Sequence, residues 1–190
     1  IYREILAKDP DHVDALNLLG VVMHATGDLE LAVELISRAT ELAPDYGPAL
    51  INLGNALQAA GQPDDAVKKF ERALELDPSA GIAASNLASA LNDLALHEEA
   101  RRAGERAVQL IAELPDAHVN LGNALLGLGR SEAAQEKYTA ALERDPHHPS
   151  AWFNLGNAYA DAGNFSAAVP PYEKAVQFDP GNGDAHYNLA

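Results

Sequence analysis

Along nearly the whole chain, apolar and small residues return with a helical period, in paired amphipathic stretches of about a dozen residues each. Ala66, Phe70 and Ala73 are spaced by four and three, so they share one face of a helix. The same spacing recurs at Ala32, Ile36 and Ala39, at Ala100, Gly104 and Ala107, at Ala134, Tyr138 and Ala141, and at Ala168, Tyr172 and Ala175. The companion stretch centres on Asn-Leu-Gly or a near variant: Leu18-Leu19-Gly20, Asn52-Leu53-Gly54, Asn86-Leu87-Ala88, Asn120-Leu121-Gly122, Asn154-Leu155-Gly156 and Asn188-Leu189-Ala190. Each occurrence stands 34 residues after the last. Gly27, Gly61, Gly129 and Gly163 mark the turn between the two stretches, where glycine takes a left-handed conformation cheaply. Pro44, Pro78, Pro146 and Pro180 stop the second stretch, and Pro10 closes a partial one.

One such helix pair cannot bury its apolar face alone, so neighbouring pairs stack and share a continuous core. The spacing predicts an all-α chain: a partial repeat at 1–12, repeats at 13–46, 47–80, 81–114, 115–148 and 149–182, and the start of a further one at 183–190. These landmarks resemble the tetratricopeptide repeat (TPR) over essentially the full length. The repeat from Pro149 carries them most fully, with Trp152, Leu155, Gly156, Tyr159, Ala168, Tyr172 and Pro180. The resemblance implies an α-solenoid of stacked antiparallel helix pairs forming a superhelix, with first helices lining a concave face. Neither end carries a polar capping helix, so the chain reads as a piece of a longer array.

Two repeats depart from the pattern. The third has Ala84 at a large-residue position, Ala88 for Gly, Ala95 at the turn, Gly104 for the aromatic and Ala112 for Pro. Loss of the aromatic costs roughly 3–5 kcal/mol if nothing fills the space, which makes this degenerate repeat the expected soft point. Its second helix is free to run on to Leu114 before Pro115 stops it. The fifth carries Pro170-Pro171 inside its second helix, where a kink or a delayed start is expected.

Composition narrows the function. Lys and Arg total 13 against 28 Asp and Glu, a net charge of −15. A chain so acidic is a poor partner for nucleic acid or an anionic membrane. There is no cysteine, hence no disulfide framework and no thiolate metal site. No apolar run approaches the roughly 20 residues of a membrane span. The start of the sequence says nothing of export, and a cytoplasmic location is the working expectation. High alanine and low lysine point toward a GC-rich bacterial source.

The first helices carry the candidate chemistry. By resemblance, the sixth and ninth positions of each repeat face inward. Here the sixth gives Asn52, Asn86, Asn120, Asn154 and Asn188, and the ninth gives Asn55, Asn123 and Asn157. Asparagine is a poor mid-helix residue, because its side chain competes for nearby backbone groups, so its recurrence in one phase needs a reason. One reason is bracing of neighbouring helix pairs. The other is a peptide-binding ladder whose amides offer donors and acceptors to an extended backbone, each bond worth about 0.5–1.5 kcal/mol. Such a ladder resembles the superhelical repeat region of O-linked N-acetylglucosamine transferases and related bacterial TPR proteins. That resemblance implies a substrate-recruiting arm whose catalytic domain lies outside this sequence.

The family's dicarboxylate clamp also needs a Lys or Arg at the second, fifth or sixth position, and none is present. Asp14, Asp93, Asp116, Asp161 and Asp184, set among Ile51, Ile82, Val119, Leu126, Phe153 and Tyr187, favour a neutral to basic peptide. For Asp116 and Asp184 the helix dipole is an equal explanation. The histidines are scattered, and His147-His148 read as a solvated boundary pair rather than a metal site. No phosphate loop or triad is recognisable, so neither an enzyme, a cofactor nor a metal is expected within this sequence. The rival reading is an assembly scaffold that self-associates through its repeat ends or convex face.

Overall fold

In the computed structural model the described residues are 1–189, and Ala190, the last of the final Asn-Leu-Ala triplet, lies outside them. The described residues form twelve helices: α1 (Tyr2–Leu6), α2 (Val13–Ala25), α3 (Leu29–Leu42), α4 (Gly47–Ala59), α5 (Pro63–Leu76), α6 (Gly81–Asp93), α7 (His97–Leu110), α8 (Pro115–Gly127), α9 (Ser131–Arg144), α10 (Pro149–Asp161), α11 (Phe165–Phe178) and α12 (Gly183–Leu189). From α2 to α11, helices of 13 residues alternate with helices of 14.

Local chemistry sets the starts. Nδ1 of His12 and of His148 accepts from the backbone N–H of Ala15 and Ala151, while Asp28 and Asn164 cap α3 and α11 through their side-chain oxygens. Pro63, Pro115 and Pro149 open α5, α8 and α10, where a missing N–H costs nothing. The four turn glycines have φ between +71° and +85°. Ala95 takes the same left-handed turn at φ +56°, at a cost of about 1–2 kcal/mol because its Cβ crowds the following carbonyl.

The chain divides into two compact units, Ile1–Leu94 and Ala95–Ala190, with the boundary inside the third repeat. In the first, α2 to α6 pack each on the next around buried Ala32, Ile36, Ala49, Leu53, Ala56, Ala66 and Phe70. In the second, α7 to α12 do the same around Leu121, Leu125, Ala134, Tyr138, Ala141, Leu155 and Ala158. Within each unit the helix pairs stack in series, which is solenoid packing. Glycine at the eighth place of the first helix admits the ring above it: a Cβ on Gly122 or Gly156 would fall 2.5 Å from Cε1 of Tyr138 or Tyr172. Gly54 lies equally tightly beneath Phe70, and Gly20 beneath Ile36.

The structure differs from expectation at two helix boundaries, the end of α7 and the start of α11. α7 ends at Leu110 and does not run on to Leu114. It stops at the same place in its repeat as the other second helices, and beyond it the Ala112 carbonyl accepts from His118 Nε2 at 2.8 Å and from Arg144 Nε at 2.5 Å. At Gly104, where the aromatic is missing, a Cβ would meet Leu121 Cα of α8 at 3.0 Å. Finally, α11 starts at Phe165, undelayed, with Pro170 and Pro171 inside it.

Candidate functional site: the asparagine-lined helix face

The asparagines of the first helices bond to one another from repeat to repeat. Nδ2 of Asn86 donates to Oδ1 of Asn55 (2.8 Å), Asn154 to Asn123 (2.9 Å) and Asn188 to Asn157 (3.4 Å). In each case a sixth-place amide reaches the ninth-place amide of the preceding first helix. In α2 the ninth place is Val21, which cannot accept, and Asn52 turns instead to Asn17, one helical turn earlier, at 3.0 Å. The ninth place of α6 is Ser89. Its hydroxyl accepts from Gln58 Nε2 (2.9 Å), which also donates to Asp93 (2.6 Å). Asn120 holds the sixth place of α8 and is half-buried. Asn52, Asn55, Asn86, Asn123, Asn154 and Asn157 are likewise half-buried, and Asn188 is exposed.

Each inter-repeat bond spends one of an amide's two N–H groups and one of its partner's two lone pairs. Bracing and ligand binding are therefore compatible, because the bond orients an amide that still has valences to offer. Sequence inspection missed Asn17 and Gln58, since Asn17 serves where Val21 offers no acceptor and Gln58 reaches the next first helix from outside the sixth and ninth places. It also missed the tyrosine hydroxyls: Tyr138 donates to Asn123 Oδ1 at 2.9 Å and Tyr172 to Asn157 Oδ1 at 2.8 Å. The signal was tyrosine, not phenylalanine, at a core position 15 residues after an asparagine. Burial raises both phenols above their ordinary range, and Asp161 nearby adds to the effect.

A third pattern joins repeats in the second unit. At the fourth place of each first helix a ring N–H donates to the carbonyl six residues back: His118 to Ala112 (2.8 Å), Trp152 to Pro146 (2.9 Å) and His186 to Pro180 (3.1 Å). With Nε2 of His118 donating, its buried Nδ1 is left without a partner, and burial holds the ring's pKa below the usual 6.5.

Several of the acids expected to colour this face are engaged. The Tyr46 hydroxyl is held above its ordinary range chiefly by its hydrogen bond to Asp14. His148 Nε2 lies 3.1 Å from Asp116; the contact lowers the carboxyl and raises the imidazole. His148 is thus a half-buried helix cap tied to α8, not a solvated boundary residue, whereas its exposed neighbour His147 rests edge-on against Phe178. Arg and Lys pair with acids along the second helices and turns, as in Arg72 with Asp45 and Lys68 with Asp65, in exposed bridges of little energetic weight. Among the described residues no three His, Asp or Glu side chains cluster as a metal would require, and no helix is long and apolar enough to cross a membrane.

Family models for the tetratricopeptide repeat match residues 51–117 and 119–183, and another matches residues 11–79. The chain belongs to the tetratricopeptide repeat family. A MamA protein structure is similar at 25% identity and TM-score 0.71, over 94% of this chain and 96% of that one. TTC0263, a thermophilic TPR protein of Thermus thermophilus, shares 21% identity at TM-score 0.80, over 93% of this chain and 96% of its own. YrrB, described as a TPR protein with an unusual peptide-binding site, is 24% identical at TM-score 0.69, over 98% and 96%. The latter two likenesses concern the fold. No curated protein matches the sequence. The TPR assignment makes the chain a protein–protein interaction module.

Proposed function

We propose that the asparagine-lined face of each unit binds extended polypeptide. The observation that carries this is the recurrence of oriented, half-buried amides in one phase: Asn52, Asn55 and Asn86 in the first unit, joined there by buried Asn17, and Asn120, Asn123, Asn154 and Asn157 in the second, joined by exposed Asn188. Amides fixed by their neighbours lose little further entropy when a ligand backbone docks, so several bonds of about 0.5–1.5 kcal/mol accumulate without reading sequence. The acid excess favours a neutral to basic partner over an acidic or phosphorylated one. In the setting implied by the resemblance to glycosyltransferase repeat regions, such a face recruits polypeptide substrates for a catalytic domain elsewhere. YrrB, a protein of this fold described as having an unusual peptide-binding site, supports the reading.

The test is binding to an array of sequence-varied extended peptides by the wild type and by the Asn86→Ala, Asn120→Ala, Asn154→Ala triple variant. Broad, weak binding that the triple variant loses while keeping its helical melt supports the proposal. Unchanged binding overturns it and leaves the amides as braces alone. Light scattering in parallel addresses the rival scaffold, since concentration-dependent oligomers would favour self-association.

A further inference from the structure

Asn123 and Asn157 differ from the other amides in what they have left to offer. Oδ1 of Asn123 accepts from both Tyr138 and Asn154, and Oδ1 of Asn157 from both Tyr172 and Asn188. An amide oxygen has two lone pairs, so both are spent, and the two bonds decide which end of the amide is held inward. What each presents to a ligand is its NH2 group. Asn55 in the first unit receives Asn86 but no hydroxyl, because Phe70 stands where the tyrosine would be, so its polarity is not fixed in this way. Two rings accompany the fixed amides. Phe153 lies one turn before Asn157 on α10, half-buried, with its ring 5.9 Å from that of Tyr172. Tyr187, beside Asn188 on α12, is 82% exposed.

We infer that the asparagine face of the second unit binds a proline-rich extended segment, with Asn123 and Asn157 donating to its backbone carbonyls and Phe153 and Tyr187 taking its rings. This rests on the peptide-binding reading above. A donor-only amide gains from a carbonyl and nothing from a ligand N–H, which would lose its water without gaining an acceptor. Proline has no N–H to lose. Its polyproline II form leaves the carbonyls unbonded and the chain already extended, and aromatic surfaces accept its rings.

The probe is a fluorescein-labelled proline decamer, compared by anisotropy titration with an equally labelled alanine–serine decamer. The wild-type chain is expected to bind the proline probe about tenfold more tightly than the alanine–serine one. The Asn123→Asp, Asn157→Asp variant keeps oxygens for both tyrosines and for Asn154 and Asn188 but replaces the presented NH2 groups. Since the decamer itself is uncharged and both probes carry the same label, a loss of about tenfold confined to the proline probe would report those donors rather than long-range charge. Equal affinity in that variant, or no preference for proline in the wild type, overturns the inference. If the alanine–serine decamer binds and the proline decamer does not, the donor polarity is wrong while the peptide-binding reading stands. If neither binds at millimolar concentration, both fail. Should the aspartate variant not fold, Tyr138→Phe with Tyr172→Phe decides, because freeing one lone pair on each amide is expected to bring the proline preference toward unity. An unchanged preference there also counts against the inference.

Discussion

The two compact units build the same helix pairs with different cross-links. In the first unit the fourth place of the first helices holds Leu16, Leu50 and Ala84, and the core position of the second helices holds Ile36 and Phe70. Those side chains offer dispersion and burial, and the directional bonds between repeats come from the amides and from pairs such as Arg72 with Asp45. The second unit places His118, Trp152 and His186 at the fourth position, and Tyr138 and Tyr172 in the core, and each donates a hydrogen bond to a neighbouring segment. One backbone register therefore tolerates two chemistries of attachment between neighbouring helices. The polar one has a consequence the apolar one lacks, because its core hydroxyls reach through to orient the asparagines on the face.

The sharpest way to break this comparison is to remove the rings. Phe70→Ala is expected to cost about 3–5 kcal/mol in chemical denaturation, since a fully buried ring leaves a cavity beside Gly54. Tyr138→Ala should cost more, by about 1 kcal/mol for the bond to Asn123. Equal losses would mean the hydroxyl contributes nothing. A smaller effect isolates that bond. Tyr138→Phe should cost about 1 kcal/mol, whereas Phe70→Tyr, which brings a hydroxyl to the register of Asn55, should change stability by less than that. If both changes destabilise equally, the two chemistries are not interchangeable.

The smallest effect is in pH. His118 has a folded pKa below 6.5, so on acidification the unfolded chain takes up the proton first. Stability of the second unit should fall as pH drops from 6.5 toward that lower value. His148 acts in the opposite sense: raised by Asp116, its contribution is complete below 6.5 and is lost as pH rises through the raised value. Denaturation between pH 7.5 and 5 should therefore show a shallower acid loss for His118→Trp, which keeps a ring N–H at that place. An unchanged slope would show that His118 takes up a proton in the fold without cost.

Much of the fold was legible because it depends on spacing. Gly20, Gly54, Gly122 and Gly156 fall eight places into four of the first helices, and the large side chain they admit follows at a fixed interval, so both can be counted along the chain. The site was legible in part. The recurrence of asparagine was visible, but its partners were not, since Asn52 reaches Asn17 only because Val21 offers no acceptor. Nor does the sequence say what lies against Gly104, and in the structure it is Leu121 of α8.

By itself, then, the sequence determined the helix periods, the stop and turn residues and the family, because these follow from side-chain size and backbone preference read locally. Tertiary structure alone decided which groups meet the Ala112 carbonyl beyond α7 and which lone pairs of Asn123 and Asn157 are spent. Each of those depends on the distance between groups on different helices. Hydrogen bonds weaken steeply within a fraction of an ångström, whereas the hydrophobic pattern survives such shifts unchanged.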